Sequence, residues 1–153
     1  MPSPRTWTGL LAATAGVLSG VAGYTFHYGE GWSYFSRDPE ACVNCHVMEP
    51  QFDSWSKGGH HAAAGCVDCH LPQSGIEKWV AKGDNGWRHS WAFTFEDFHE
   101  PIRITPRNAR ILQANCLRCH GDFVHELVAG STTAADAVAC VHCHAGVGHG
   151  ARR

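Results

Sequence analysis

The chain has 153 residues, and its 12 Lys and Arg residues against 14 Asp and Glu residues give a net charge of −2 at pH 7. This balance excludes the strongly basic surface typical of nucleic-acid binding, and no Gly-rich phosphate loop or paired-carboxylate motif stands out. We therefore expect no nucleic-acid partner, and the chemical information lies in the 8 Cys and 12 His residues.

The first predicted element is a membrane-spanning helix. Residues 8–26 carry no charge, and a run of about 20 apolar residues crosses a hydrocarbon core of roughly 30 Å. A cleaved signal peptide is the alternative, but the run is longer than a usual signal-peptide core, so an uncleaved anchor is favoured. The small residues Ala12, Gly16 and Gly20 share one helix face, where two anchors can associate closely.

Four copies of Cys-x-x-Cys-His contain all eight cysteines. In this motif two thiols bond to the porphyrin vinyl groups of a c-type haem, and the histidine is held under the iron as an axial ligand. The sequence therefore predicts four covalent haems. The motifs are Cys42-Val43-Asn44-Cys45-His46, Cys66-Val67-Asp68-Cys69-His70, Cys116-Leu117-Arg118-Cys119-His120 and Cys140-Val141-His142-Cys143-His144.

A disulfide framework, a zinc site and a redox dithiol each fit this cysteine pattern less well. Disulfides do not require a histidine after every second cysteine. A zinc site would be poorly served by a histidine adjacent to its cysteine, and a redox Cys-x-x-Cys normally occurs once, in a βαβ context that is absent here.

The spacing of the motifs predicts the domain organisation. Cys42 to Cys66 and Cys116 to Cys140 are both 24 residues, whereas Cys66 to Cys116 is 50, which suggests two di-haem modules. We expect an N-terminal end and transmembrane anchor over residues 1–28 and a tetrahaem domain over residues 29–153. Because haem attachment takes place outside the bacterial cytoplasm, this domain should face the periplasm, with the anchor in the inner membrane.

The predicted fold is mainly α with much irregular structure. A domain of this size has too few residues for a separate hydrophobic core beside four macrocycles, so short helices and loops should surround the haems. Predicted helices cover Ile76 to Lys82, Arg107 to the third motif, and Phe123 to Ala129. Predicted breaks fall at Gly58 and Gly59, at Gly83 and Gly86, and at Pro101 and Pro106.

Eight histidines outside the motif ends are candidates for sixth iron ligands, namely His27, His60, His61, His89, His99, His125, His142 and His149. His142 is tethered inside a Cys-x-x-Cys loop, whereas His61 and His149 lie near motifs and could fold over a haem. Met48 follows His46 by two residues, so its thioether competes for the first iron, with simple packing at the haem edge as the alternative.

At this point the chain resembles a known family. The anchor, CVNCHVMEPQF, CVDCHLP, KGDNGWRHSWAFTF, NCLRCH and CVHCHAGVGHG, in that order, are similar to the small membrane-anchored tetrahaem subunit of cytochrome c nitrite reductase, in the NapC/NirT family of quinol dehydrogenases. The likeness covers nearly the whole chain. It implies a menaquinol-oxidising electron relay that serves a periplasmic nitrite reductase catalytic subunit and draws on the menaquinone pool, without itself reducing nitrite.

The resemblance also implies the iron ligands. Met48, rather than His46, would bind the first haem, and His70 the second, whose other position a lysine of the partner reductase would complete. The third haem would use His120 and His149, and the fourth His144 and His61.

For the quinol site the resemblance points to Lys82. At the position of a family acidic residue this chain has His89, with Asp84 the nearest carboxylate. Because quinol oxidation releases protons, all three are candidate proton acceptors, and His89 is alternatively a distal ligand of the first iron.

Two other functions stay open on the sequence. One is a NapC/NirT-type quinol dehydrogenase that serves another periplasmic reductase, and the other is a soluble multihaem carrier or small haem enzyme.

Overall fold

The computed structural model describes residues 3–127 and 139–150, and over these residues it contains helices and turns and no strand. This agrees with the mainly α prediction. The α-helices are α1 (Pro4–Tyr28), α2 (Glu49–Ser56), α3 (Cys66–His70), α4 (Gly75–Phe95), α5 (Pro106–Leu127) and α6 (Cys140–Cys143), and short 3₁₀ helices cover Gly31–Phe35, Pro39–Cys42 and His46–Met48. Two compact units are present, Met1–Ser36 and Arg37–Arg153.

Helix α1 contains the predicted anchor. The Ser3 hydroxyl caps its first turn by accepting from the Thr6 amide, and Pro4 occupies the first position, where a missing N–H costs nothing. No residue of α1 is buried against protein, and the helix is long and apolar enough to cross a membrane. Near its C-terminal end the rings of Phe26 and Trp32 pack edge to face at 5.2 Å, the kind of aromatic cluster found at membrane interfaces.

Helix α4 is much longer than predicted, and the expected break at Gly83 and Gly86 was wrong. The helix continues through both glycines to Phe95 and ends where Glu96 adopts a left-handed φ of 54°. A glycine inside a helix costs only about 1 kcal/mol, and side chains on the same turns oppose that cost. Asp84 accepts from Arg88 at 3.1 Å and from Arg107 of α5 at 3.0 Å.

Helix α5 joins two predicted helices into one. It begins at Pro106, which is tolerated in a first turn, and runs through the third haem motif to Leu127. The predicted helix end at Ala129 lies outside the described residues. A cysteine motif within a regular helix places its two thiols three residues apart, on one face.

The hydrophobic core of the second unit is very small. Among the described residues only Val67, Leu71 and Ala81 are buried apolar residues, with Ile111 packed against them. This cluster joins α3, α4 and α5, and α3 packs most closely on α5. A unit of this length ordinarily buries far more apolar surface, so its stability must come largely from something other than side-chain packing.

Candidate haem centres

All four cysteine motifs begin in helical backbone. The first starts at the end of the 3₁₀ helix Pro39–Cys42, the second is α3, the third lies inside α5, and the fourth is α6 followed by His144. All eight cysteines are free thiols. Among residues 3–127 and 139–150, no group of three or more His, Cys, Asp or Glu side chains is arranged to hold a single metal ion.

The first and second motifs are neighbours, as are the third and fourth. The Cys42 thiol is hydrogen-bonded to Cys66, which lowers the pKa of Cys42 to about 7 and raises that of Cys66. Burial raises the pKa of Cys116, and Cys140, to which it is hydrogen-bonded, adds to the rise. The expected pairing of motifs separated by 24 residues therefore agrees with the positions of their cysteines.

The second motif is also next to the third. Burial raises the pKa of Cys69, and the nearby Asp68 carboxylate and Cys119 thiol raise it further. Cys69 likewise contributes to the raised pKa of Cys116. The attachment points thus follow one another in space in the order of the chain, from the first motif to the fourth.

Side chains close the ends of the short helix α3. Asp68 accepts from the Gly65 amide at 3.0 Å and pairs with Arg37, which fixes the helix start. At the other end, orphan carbonyls of a helix need donors. Gln73 donates to Val67 O at 2.8 Å, and Asn115 donates to Cys69 O at 2.9 Å. The five residues of α3 can therefore keep a helical shape that would be marginal alone.

Two pairs of imidazole rings lie close together. His70 and His149 have ring centroids 5.6 Å apart and an interplanar angle of 15°, and His60 and His120 are 6.0 Å apart at 76°. With metal–nitrogen bonds of about 2 Å, two imidazoles on opposite faces of one iron have centroids about 6 Å apart. Each pair therefore has the separation that a bis-histidine haem requires.

The chain holds His149 in place through its backbone. The Ser54 hydroxyl of α2 donates to the His149 carbonyl. Gly150 follows with a φ of 72°, and its amide donates to Gly146 O at 2.9 Å. A Cβ at Gly150 would lie 2.6 Å from the Ser54 oxygen, so glycine is needed both for the left-handed backbone and for the close approach.

Helix α2 also positions the segment that carries His60 and His61. The Trp55 indole donates to Ala64 O at 2.9 Å, and its ring packs on His61 at 5.1 Å. The resemblance places His61 on the fourth haem and His149 on the third, whereas the ring contacts bring His149 to His70 and His60 to His120. His60 was one of eight candidates, and only its tertiary neighbour singles it out.

The residues around the first motif differ in exposure. His46 is exposed, whereas Met48 is half-buried and its amide donates to Cys45 O at 2.8 Å. That turn directs the chain from the motif into α2, so the methionine stays close to the first cysteine pair.

The three candidate quinol residues lie on α4 in different environments. Lys82 is only 7% exposed, its ammonium lies 5.7 Å above the Trp79 ring, and burial lowers its pKa. Cys42 is near enough to oppose this by raising the Lys82 pKa, so Lys82 lies beside the first motif. His89 lies at the surface, where partial desolvation lowers its pKa. Lys82 and His89 are seven residues apart, hence on one helix face and about 10 Å apart along the axis.

Asp84 is the least suitable of the three as a proton acceptor. Burial by itself would raise its pKa, but hydrogen bonds and charge from Arg88 and Arg107 prevail and lower it. Its two ion pairs link turns of α4 and α5. The geometry therefore gives Asp84 a structural part.

These residues fit c-type haem. Each motif offers two thiols and an imidazole, two further imidazoles stand at iron-bridging distance from motif histidines, and the apolar core is too small without large apolar groups. Several of the residues that position these groups were not found from the sequence. Asn115 and Gln73 carry no motif signal, and Asp68 and Arg118 occupy variable positions inside motifs.

Comparisons with known proteins show what the whole chain is similar to. The chain matches the sequence profile described as "NapC/NirT cytochrome c family, N-terminal region" over residues 3–153. It is 36% identical over 143 residues to the cytochrome c-type protein NrfH of Wolinella succinogenes, which covers 88% of this chain and 81% of the relative. It also matches a chain in the crystal structure of the cytochrome c nitrite reductase NrfHA complex bound to the HQNO inhibitor, with a TM-score of 0.63, 27% identity, and coverage of 91% and 90% of the two chains.

Proposed function

We propose that this chain, which belongs to the NapC/NirT cytochrome c family, is a membrane-anchored tetrahaem cytochrome that oxidises menaquinol and passes the electrons to the catalytic subunit of a cytochrome c nitrite reductase. Its likeness to NrfH and to the NrfHA complex supports both the activity and the partner. The anchor α1 keeps it at the membrane. The haem domain faces the periplasm, where haem attachment and the partner are located.

The observation that carries the proposal is the order of the cysteines. Cys42 contacts Cys66, Cys69 is near Cys116, and Cys116 contacts Cys140. Four haems attached at these positions would follow one another in chain order, which would let electrons pass from the first to the fourth. The haems supply one-electron redox chemistry, and the chain determines their ligands and spacing.

Met48 would ligate the first iron, and His70 and His149, whose rings lie 5.6 Å apart, would hold the second. His120 and His60 would hold the third. The fourth haem carries His144. The resemblance places a lysine of the partner on the second haem, but the contact of His149 with His70 favours the fourth, which is the exit haem of a relay in chain order.

The quinol binds beside the first haem, and Lys82 and His89 take its protons. Burial lowers the pKa of both side chains, which favours the neutral forms that can accept a proton. Lys82 lies beside Cys42, and His89 lies two helical turns along the same face. Asp84 forms ion pairs with Arg88 and Arg107 instead.

The test is anaerobic mixing of full-length protein, in detergent, with a soluble menaquinol analogue while haem absorbance is followed. We expect the wild-type haems to be reduced, and Lys82→Met to slow this by about tenfold or more because a proton acceptor is lost. Lys78→Met, one turn earlier, is the matched control; it removes only a neighbouring charge that helps to lower the Lys82 pKa, so it should slow reduction much less than Lys82→Met.

Dithionite, which needs no quinol site, should reduce both variants and wild type alike. The proposal fails if the analogue leaves the wild-type haems oxidised. Equal quinol rates for Lys82→Met and Lys78→Met would remove Lys82 from the site while leaving the relay intact.

A further inference from the structure

Helix α5 carries two amide side chains that tie other haem motifs to its own. Asn115 directly precedes the third motif, and Gln113 lies two residues before Asn115. Asn115 reaches the second motif, whereas Gln113 reaches the fourth. One helix therefore holds a motif on either side of the one it contains.

Asn115 makes its contacts from a buried position. It is 8% exposed, and its amide nitrogen donates to Cys69 O and Leu71 O, both at 2.9 Å. A buried carbonyl without a donor is costly, so the amide holds the end of α3 to α5. Arg118 adds a weaker, exposed contact to Asp68 O at 3.2 Å.

Gln113 acts as an acceptor. Its side-chain oxygen accepts from the Cys140 amide at 2.9 Å. That amide belongs to the first turn of α6, where a donor has no partner within the helix. The start of the fourth motif is thus fixed to α5 by one hydrogen bond, across a long stretch of sequence.

We propose that Asn115 and Gln113 are positioning residues for electron transfer between haems, Asn115 for the step from the second haem to the third and Gln113 for the step from the third to the fourth. This inference rests on the proposed relay. Both amides contact backbone atoms in or beside the motifs. They act by fixing cysteine-bearing backbone, and electron transfer slows as the separation between two haems grows.

The chain offers a matched control in Asn108. It is a third amide on α5, half-buried, and it donates to Asn85 Oδ1 of α4 at 2.9 Å. Asn108 fixes α5 to a helix without a haem motif. Asn108→Leu should therefore affect stability as a lost hydrogen bond does, and leave the steps between haems unchanged.

The experiment compares Asn115→Leu, Gln113→Leu and Asn108→Leu in the full-length protein, at equal haem content, by stopped-flow reduction with the menaquinol analogue. Wild type and Asn108→Leu should be reduced in one phase. In Asn115→Leu about half of the haem absorbance should follow at least about tenfold more slowly, and in Gln113→Leu about a quarter.

Acidic variants at the same two positions distinguish the loss of a specific hydrogen bond from the loss of a polar side chain. Asn115→Asp has the same shape but no amide donor, so it should reproduce the slow half. Gln113→Glu keeps the accepting oxygen, so it should behave as wild type. A general loss of stability would not produce this opposite response, nor slow fractions of half and a quarter.

A single phase in both Asn115 variants with full haem content would overturn the inference, as would the same slow fraction in Asn108→Leu. Loss of haem from both Asn115 variants would assign the residue to folding and would also overturn it. If wild type itself is not reduced by the analogue, the failure belongs to the proposed quinol oxidation, and the three leucine variants are then compared for electron delivery from a reduced dye to the partner reductase.

Discussion

At the scale of single residues, chemistry dictates some positions and tertiary structure selects others. The spacing of Cys42 and Cys45 from His46 is imposed by haem attachment, so the motifs were legible in the sequence. The spacing of the motifs does not show which distant histidine supplies the second axial ligand of a given iron. His149 follows the fourth motif in sequence yet faces His70 of the second, because Ser54 and Gly150 direct its loop there.

His149 is therefore expected to be an iron ligand, and His149→Ala tests this. Loss of one axial imidazole should convert about one haem in four from low-spin to high-spin, measured by EPR of the oxidised isolated protein. His142→Ala is the control, because His142 is also exposed and near the fourth motif but tethered between Cys140 and Cys143. Equal spectra for the two variants would remove His149 from the ligand set.

At the scale of elements, periodic and capped segments were predictable and helix continuity was not. The apolar run from residue 8 predicted α1, and Pro106 correctly marked a boundary. Gly83 did not end α4, since the ion pairs of Asp84 with Arg88 and Arg107 stabilise the turns around it. A glycine does not end a helix when tertiary contacts on neighbouring turns contribute more than the about 1 kcal/mol that the glycine costs.

Two glycine substitutions should accordingly have opposite effects. A Cβ at Gly83 meets nothing within 4 Å, so Gly83→Ala should stabilise the protein by about 0.5–1 kcal/mol through helix propensity. Gly150→Ala should destabilise it, because φ is 72° and Ser54 lies too close. Thermal unfolding followed by circular dichroism checks both. A lower melting temperature for Gly83→Ala would mean that other atoms lie against this position and leave no room for the added Cβ.

At the scale of the whole molecule, the described residues form only a very small hydrophobic core. The sequence predicted this from the number of residues available for four macrocycles, and the described residues agree, since Val67, Leu71 and Ala81 are the buried apolar residues among them. The order in which the motifs lie next to one another was harder to predict from the sequence. Two di-haem modules were expected from spacing, but the junction between them depends on Asn115, which no pattern marks.

The motifs should therefore contribute unequally to folding. The second motif forms α3, which supplies Val67 to the core and packs on α5, whereas the fourth is held to α5 through Gln113. Replacing both cysteines of the second motif by serine should cost haems at the other motifs as well, because their supporting helices lose a shared partner. The same change in the fourth motif should leave three haems. Haem-to-protein ratios from the pyridine haemochrome spectrum decide between these outcomes, and three haems in both variants would mean that each centre folds independently of α3.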